Sequence, residues 1–448
     1  MIHTSYQTRP IVVAYHRGEP VLLESAARLR HLYIVGQTGT GKSSLVANMI
    51  AQDAAAGHGL ALIDPHGSLA TDVLSLIPTA QDCSHRVVYF KPTDIEHPIG
   101  LNVLDRIPRD AQANVAGNIV AAFLHIFGEE AVADRSQEIL RNALRALMEA
   151  PFPSLLRIPR LLTDDAYREK VVARITDPVV AHYWNVRFVA GDRAYRHQAT
   201  APILNKLDHF LSNPLLRNIL GQSTSSFSVR RLMDEGGILI ADLSGLDEIS
   251  TYMLGALLTS IIAQAALSRS VIPEYDRRPF YLYADEFPAY AGASFKIILS
   301  EARKYALGAI LSHQLLAQLD EVDRSLRATI FGNVGSFVSF RVGIQDAETI
   351  AGHLALESQI EYTGSGMHET TPSQQLIQLA NFTACGRFLQ GDSLSPPLLL
   401  DMLPPPKPIN HRPHRIVALS RSRFARGRAK IDAGIRRFLT DHPRGAIS

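Results

Sequence analysis

Only two cysteines, Cys83 and Cys385, occur in the 448 residues. They stand far apart and in no metal-ligand spacing, which argues against a disulfide framework or a zinc cluster and fits a reducing cytoplasm. Long hydrophobic runs are also missing. The most apolar stretches, Ile119–Phe127 and Leu254–Leu267, are short or interrupted by Thr259, Ser260 and Gln264, below the roughly 20 apolar residues of a membrane span. No transmembrane helix or direct membrane insertion is expected. The N-terminal residues lack an apolar core behind a basic start, so no secretory signal is expected either. No internal repeat is visible, and a net charge of +2 says little about a polyanionic partner.

What is present is a composition of 46% hydrophobic and 20% charged residues, enough for two or three folded domains. Charge is uneven along the chain. From Lys407 onward stand Arg412, Arg415, Arg421, Arg423, Arg426, Arg428, Lys430, Arg436, Arg437 and Arg444, against Asp432 and Asp441. Such a segment reads either as a solvated, partly disordered tail or as a contact for nucleic-acid phosphates.

The patterning begins as strand, loop, helix: His31–Val35, a glycine-rich turn, then a helical pattern from Lys42 to Ala56. Strand signals recur at Gly59–Asp64 and Arg86–Phe90, with a helix from Ser68 to Leu76 between them. Alternation of this kind predicts an α/β fold with a mostly parallel sheet covered by helices on both faces. From about Asp110 to Asp234 the period turns helical, with helices such as Gln112–Phe127, Ser136–Glu149 and Ala201–Leu211, broken by Pro151, Pro153 and Pro159. This predicts an all-helical insertion. The α/β pattern resumes with Gly236–Leu243, a helix Ser250–Arg269, the strand Pro279–Glu286, a helix Ser294–Tyr305 and the strand Leu307–Gln314. Val334–Val342 gives another strand, Asp346–Leu354 a helix, Glu357–Gln374 reads as a loop, and Phe382–Gln390 as a last strand. The resulting division is a lead-in over 1–30, a nucleotide-binding domain over 31–109 and 235–403, the insertion over 110–234 and a basic tail over 404–448.

Gly36-Gln37-Thr38-Gly39-Thr40-Gly41-Lys42-Ser43 matches the phosphate-loop pattern between a strand and a helix, where the chemistry requires it. The glycines let successive N–H groups wrap around phosphates, and the following helix adds its positive end. The residues expected to bind nucleotide are Gly36, Thr38, Gly39, Thr40, Gly41, Lys42, Ser43 and Ser44. Lys42 would reach the β and γ phosphates, and Ser43 would ligate Mg2+.

The strand Pro279–Glu286 ends in two acids at the edge where nucleotides bind. Asp285 would hold the Mg2+ shell and Glu286 would polarise the attacking water of ATP hydrolysis. Gln314, ending the next strand, would sense the γ-phosphate. Ser312 and His313 beside it lack a nucleophile-elbow motif for a hydrolase triad. Arg303 is the leading candidate for a positive group acting across a subunit boundary, with Lys304 and Arg341 in reserve. Asp64 reads as the cap of the next helix or as a second acid near the site. Arg135, Arg141, Arg145, His182, His197 and His209 show no metal spacing.

GQTGTGKSSL, ALIDPHG, IGLNVLD, FYLYADEF, SEARKYALGAILSHQLLAQL and FGNVGSFVSFRVG together resemble the HerA/FtsK superfamily of DNA-pumping ATPases, and within it the TraG/TraD type IV secretion coupling proteins. The likeness runs from about Leu32 to about Leu403. It implies a RecA-like core, a homo-oligomeric ring of six, ATP and Mg2+ as cofactors, and DNA as the partner, with conjugation, secretion or nuclease proteins as further partners. Lys42, Ser43, Asp285, Glu286, Gln314 and Arg303 take the corresponding roles by motif. Membrane-anchored coupling proteins begin with transmembrane helices, whereas this sequence starts near the core, so a cytoplasmic relative is expected, either acting apart from the membrane or recruited to it by a partner. Two other functions remain open at this point: a secretion ATPase acting on protein partners, and a nucleotide-dependent switch with little hydrolysis.

Overall fold

Short runs of Val, Ile, Leu, Tyr and Phe form the strands, because branched and aromatic side chains fill a pleated surface buried on both faces. The structure, a computed structural model, describes residues 9–78, 86–128, 134–363 and 366–440; Cys83, Asp441 and Arg444 lie outside them. In chain order the strands are β1 (Ile11–His16), β2 (Glu19–Leu23), β3 (Leu32–Val35), β4 (Gly59–Asp64), β5 (Val87–Phe90), β6 (Ile238–Asp242), β7 (Phe280–Ala284), β8 (Leu307–His313), β9 (Ser336–Ser339), β10 (Gln359–Thr363), β11 (Gly366–Thr370), β12 (Thr383–Arg387), β13 (Leu389–Gln390), β14 (Ser393–Leu394) and β15 (Leu398–Met402). Three helices interleave with the first of them: α1 (Ser25–Arg28), α2 (Lys42–Ala56) and α3 (Ser68–Leu76).

Eleven strands form one sheet in the order β2-β1-β15-β12-β9-β3-β8-β7-β4-β6-β5. β3 runs parallel to β8 and β9, β7 to β8 and β4, and β4 to β6. This is the mostly parallel α/β sheet that the alternation predicts. An antiparallel flank of β2, β1, β15 and β12 extends it, so the residues read as a lead-in contain a hairpin and part of the sheet. The segment Glu357–Gln374 is not a plain loop either. It contains the β10–β11 hairpin, and Thr371 and Gln374 form a reciprocal capping box at the helix Pro372–Ile377.

The chain divides into two compact units. One, comprising 1–89, 229–244 and 265–419, holds the sheet. The other, comprising 90–228, 245–264 and 420–448, is mainly helical and takes in more of the chain than the insertion expected over 110–234. Its helices include Gln112–Phe127, Asp134–Glu149 and Arg193–Ser212, the last running through Pro202. Among the described residues one helix, Glu248–Val271, has the length and hydropathy to cross a membrane, yet 83% of its apolar window is buried inside the protein, as in a core helix. The basic segment forms two helices, Pro413–Phe424 and Arg428–Thr440, in place of an extended tail. Ile431 and Ile435 of the second pack with Leu156, while Lys430, Arg436 and Arg437 face solvent.

Parity along the strands decides which side chains face α2. Leu60 and Leu62, Ile238 and Ile240, Tyr281 and Tyr283, and Ile310 all join the apolar cluster that includes Leu45, Met49 and Ile50 of α2. Successive side chains alternate faces, so Asp64, Asp242, Asp285 and Ser312, one step further along their strands, emerge on that same side. Beneath them lies a buried polar knot. Arg28 of α1 donates to Asp53 of α2 at 2.8 Å, both side chains fully buried, and stacks 3.5 Å over the Tyr281 ring. The Tyr283 hydroxyl donates to Asp53 at 2.5 Å, and His58 Nδ1 lies 2.9 Å from the same carboxylate. Burial alone would raise the Asp53 carboxyl, but Arg28, His58 and Tyr283 hold it below its ordinary value. The knot ties the helix that carries the phosphate loop to the strand that carries Asp285.

Removing one partner of a fully buried pair strands the other charge. Asp53→Ala should therefore destabilise the protein by about 3–5 kcal/mol, read as a lower urea midpoint. The double variant Arg28→Met with Asp53→Leu should lose less than Asp53→Ala alone. A double variant at least as unstable as that single one would mean the pair stabilises by its charge and not merely by filling space.

Candidate active site

The loop between β3 and α2 is shaped by its neighbours in the sheet. Val35 lies beside His313 of β8 and Ser339 of β9, so Gly36 N–H donates to the His313 carbonyl at 3.3 Å and Gln37 N–H to the Arg341 carbonyl at 2.8 Å. A Cβ on Gly36 would fall 2.5 Å from Phe340 Cβ, which explains glycine there. Gly39 has φ +78 with open space around it, a left-handed turn that frees N–H groups to point outward. The Thr40 hydroxyl, fully buried, donates to the Gln37 carbonyl at 2.7 Å and closes the loop from within. Thr38, Gly39 and Ser43 are exposed, and Ser44 is half-buried.

Lys42, at the first turn of α2, is buried, and its ammonium donates to the carbonyls of Gly36 at 2.5 Å and Gln37 at 3.1 Å. Burial lowers its pKa, opposed by Glu286 and Asp285 nearby. Asp285 is pushed up to about 6, chiefly by burial, with Asp64 and Glu286 adding to the rise while Ser312 and Lys42 oppose it. Its Oδ1 accepts from the Ser312 hydroxyl at 2.5 Å, the only donor to this carboxylate among the described residues. Three neighbouring strands end in aspartate, but the other two are engaged by the fold. Asp64 accepts from His66 N–H and from Ala70 N–H, both at 2.8 Å, as the cap of α3. Asp242 accepts from the Tyr89 hydroxyl at 2.6 Å and from Ser244.

Glu286 would leave the strand on the far face by parity. A left-handed turn at φ +42 re-aims it, a strained geometry for a residue with a side chain. Its Oε1 accepts from Gln314 Nε2 at 2.9 Å, and Gln314 Oε1 accepts from the Thr38 hydroxyl at 2.8 Å. Gln314 is held by Gln318, whose Oε1 accepts from the N–H groups of Gln314 and Leu315 at 3.3 and 3.0 Å. His313 is fully buried, pushed down to about 3 by that burial, and wedged between Tyr33 and Phe287.

Lys42, Asp285, Glu286, Gln314 and Thr38 thus converge, while Arg303 does not join them. It lies in the turn Ala302–Tyr305 ahead of β8, near buried His31, at the opposite sheet edge from Gln314. Seven strand residues separate the two edges by roughly 20 Å. Arg341 is in the same chain's loop region, with Nε 3.3 Å from Gln37 Oε1. Reading by motif missed the Ser312 hydroxyl on Asp285 and the aromatic pair Phe340 and Phe382 beside Gly41. Strand parity, applied to Leu307–Gln314, could have found Ser312. Nothing local marks Phe382.

The donors fit a nucleotide with Mg2+. The open left-handed glycine and the lysine at the helix start suit the phosphates, and an exposed serine hydroxyl and one carboxylate suit the metal, because Mg2+ binds through few protein oxygens plus phosphates and water. Among the described residues there is no cluster of three or more His, Cys, Asp or Glu, as a protein-only metal cage would require.

Loop, acidic strand end and sheet order define a RecA-like P-loop fold. Residues 15–262 match the family described as the central domain of helicase HerA, and the chain belongs to that family. Among solved structures, the bacterial conjugative coupling protein TrwB in its unbound monoclinic form is similar with TM-score 0.61 at 18% identity, over 89% of this chain and 90% of that one. TrwB in complex with ADP and Mg2+ gives 0.60 at 18%, over 90% and 93%. VirB4 of Thermoanaerobacter pseudethanolicus gives 0.58 at 17%, over 90% and 98%. No curated protein sequence matches.

The raised Asp285 pKa makes stability depend on pH. Between the ordinary value of 3.8 and about 6 the folded state binds more protons than the unfolded one. Stability should therefore fall as pH rises through that window and level off above it. Asp285→Asn should remove this slope and be more stable at pH 7 than the unsubstituted chain, by on the order of 1–3 kcal/mol. Identical slopes between pH 4 and 6 in metal-free denaturation would refute the assignment.

Proposed function

We propose that this chain is an ATP-hydrolysing DNA translocase that works as a homo-oligomeric ring, with a hexamer as the expected form. The observation that carries the hydrolysis is the chain of hydrogen bonds from Thr38 through Gln314 to Glu286. It joins the phosphate loop to the acid that would orient water. Lys42 binds the terminal phosphates, Ser43 and Asp285 hold Mg2+, and Glu286 takes the proton of the attacking water. Bound Mg2+ neutralises charge on the phosphates.

DNA as the substrate is supported by the HerA helicase family and by likeness to a conjugative coupling protein. Exposed Arg415, Arg421, Arg423 and Arg436 supply charge for phosphate contacts. A ring is supported by the separation of Arg303 from its own chain's site, since a neighbour's arginine then completes it. Val271 and Tyr275, 81% and 71% exposed, lie in the segment just ahead of β7, and Arg277 from that segment donates to the Lys304 carbonyl beside Arg303. Exposed apolar side chains near Arg303 suit a subunit contact.

Purified chain should hydrolyse ATP faster with DNA present, and Lys42→Ala should abolish turnover. Glu286→Gln should still bind ATP while losing about 100-fold or more of the rate, in keeping with general-base catalysis. Turnover indifferent to DNA across a range of salt would remove the motor reading; equally negligible rates in the unsubstituted chain and Glu286→Gln would favour a binding switch.

For the finger, Arg303→Ala and Glu286→Gln should each be inactive alone, and mixing them should restore part of the activity. Mixed assemblies without any recovery would count against action in trans.

A further inference from the structure

We propose that Phe382 forms the floor of a nucleobase subsite beside the phosphate loop, an inference that rests on the loop being an ATP site. The direction of the nucleotide follows from the two sides of β3. On the β8 side stand Gln314 and Glu286, the groups aimed at the terminal phosphate. The sugar and base therefore leave the loop toward β9 and β12, and Phe382 stands there, immediately before β12.

Its backbone is fixed to the loop and to the sheet. Phe382 N–H donates to the Thr40 carbonyl at 2.8 Å, and its own carbonyl accepts from Met402 N–H at 3.0 Å. The ring edge lies against Gly41, where a Cβ would come within 3.2 Å of Phe382 Cδ1. Two features are not explained by packing. Phe382 is 42% exposed, and it has φ +62, a left-handed conformation that bulky residues rarely adopt and that glycine or asparagine would take without strain. Support for Gly41 does not require it, because Phe340, fully buried, already lies 3.0 Å from that Cβ position. A strained, exposed aromatic held against a phosphate loop offers a flat π-face next to the site where a base emerges, and strain retained at such a place points to a ligand. Stacking asks for a ring and not for a hydrogen-bond pattern, so the subsite takes nucleotides as a class, whatever the base.

The test compares Mg-ATP with Mg-tripolyphosphate by calorimetry on the full chain. Phe382→Ala should weaken ATP about tenfold, the scale of a lost base stack, and leave tripolyphosphate within about twofold. F382W should bind ATP as the unsubstituted chain does, and its fluorescence should be quenched on saturation with ATP but not with tripolyphosphate. The unsubstituted chain, whose single tryptophan Trp184 is buried in the helical unit, supplies the baseline against which that change is read. Unchanged ATP affinity in Phe382→Ala, or equal losses for both ligands, would overturn the subsite and leave ATP binding intact. An unsubstituted chain that binds neither ligand would remove the ATP site and the subsite with it.

Discussion

The parallel register of β3 between β8 and β9 is the constraint on which the site depends. Val35 pairs with His313 on one side and Ser339 on the other, so the phosphate loop starts level with Gln314 and Phe340. The same ladder continues through β7, where Ala284 lies beside Leu311 of β8 and Ile63 of β4, which brings Asp285 level with Ser312 and Asp64. Because side chains alternate faces, a slip of one residue in any of these pairs would turn the polar group away from α2. The Arg28–Asp53–Tyr283 knot fixes α2 over the same strands. Phosphate loop, carboxylates and Gln314 are thus positioned by backbone pairing.

Charge at this edge is divided by how each acid is solvated. Asp64 and Asp242 accept from backbone and hydroxyl donors and so are engaged by the fold. Asp285 has one short bond from Ser312 and otherwise sits in a low-dielectric environment near other acids. Its negative charge is therefore costly without a cation, the condition under which a divalent ion binds well. Lys42 feels the same bias against its charge, since burial lowers its pKa and the two carboxylates offset that only in part. Acid and lysine each supply part of what the other lacks.

Much of this was legible in the sequence because the chemistry is local. The phosphate loop is one continuous stretch, and the acidic pair ends an apolar run, so residue order alone located Lys42, Asp285, Glu286 and Gln314. What was not legible depends on distant pairing. The antiparallel flank needs β15 to return beside β1, a contact between residues nearly the whole chain apart. Phe382 reaches Gly41 only because β12 lies next to β9. The basic segment misled by composition: Ile431 and Ile435 recur at the helical spacing that buries one face, and the surrounding arginines masked that period. Arg303 was chosen for its place in the helix between the two strands, but its distance from the site is a property of strand length, which residue order does not carry.

Gln314 links these parts by having both ends of its amide engaged. Its orientation is settled by its neighbours, because turning the amide over would set its oxygen against the Glu286 carboxylate. In the present arrangement the oxygen accepts from Thr38 and the nitrogen donates to Glu286. Thr38 is exposed on the phosphate loop, so a phosphate arriving there competes for its hydroxyl. Loss of that bond loosens Gln314, and with it one donor holding Glu286. Exchange of a single hydrogen bond at the loop is therefore felt at the carboxylate across the strand edge. One glutamine thus joins the phosphate loop to the acid through hydrogen bonds at both ends of its amide.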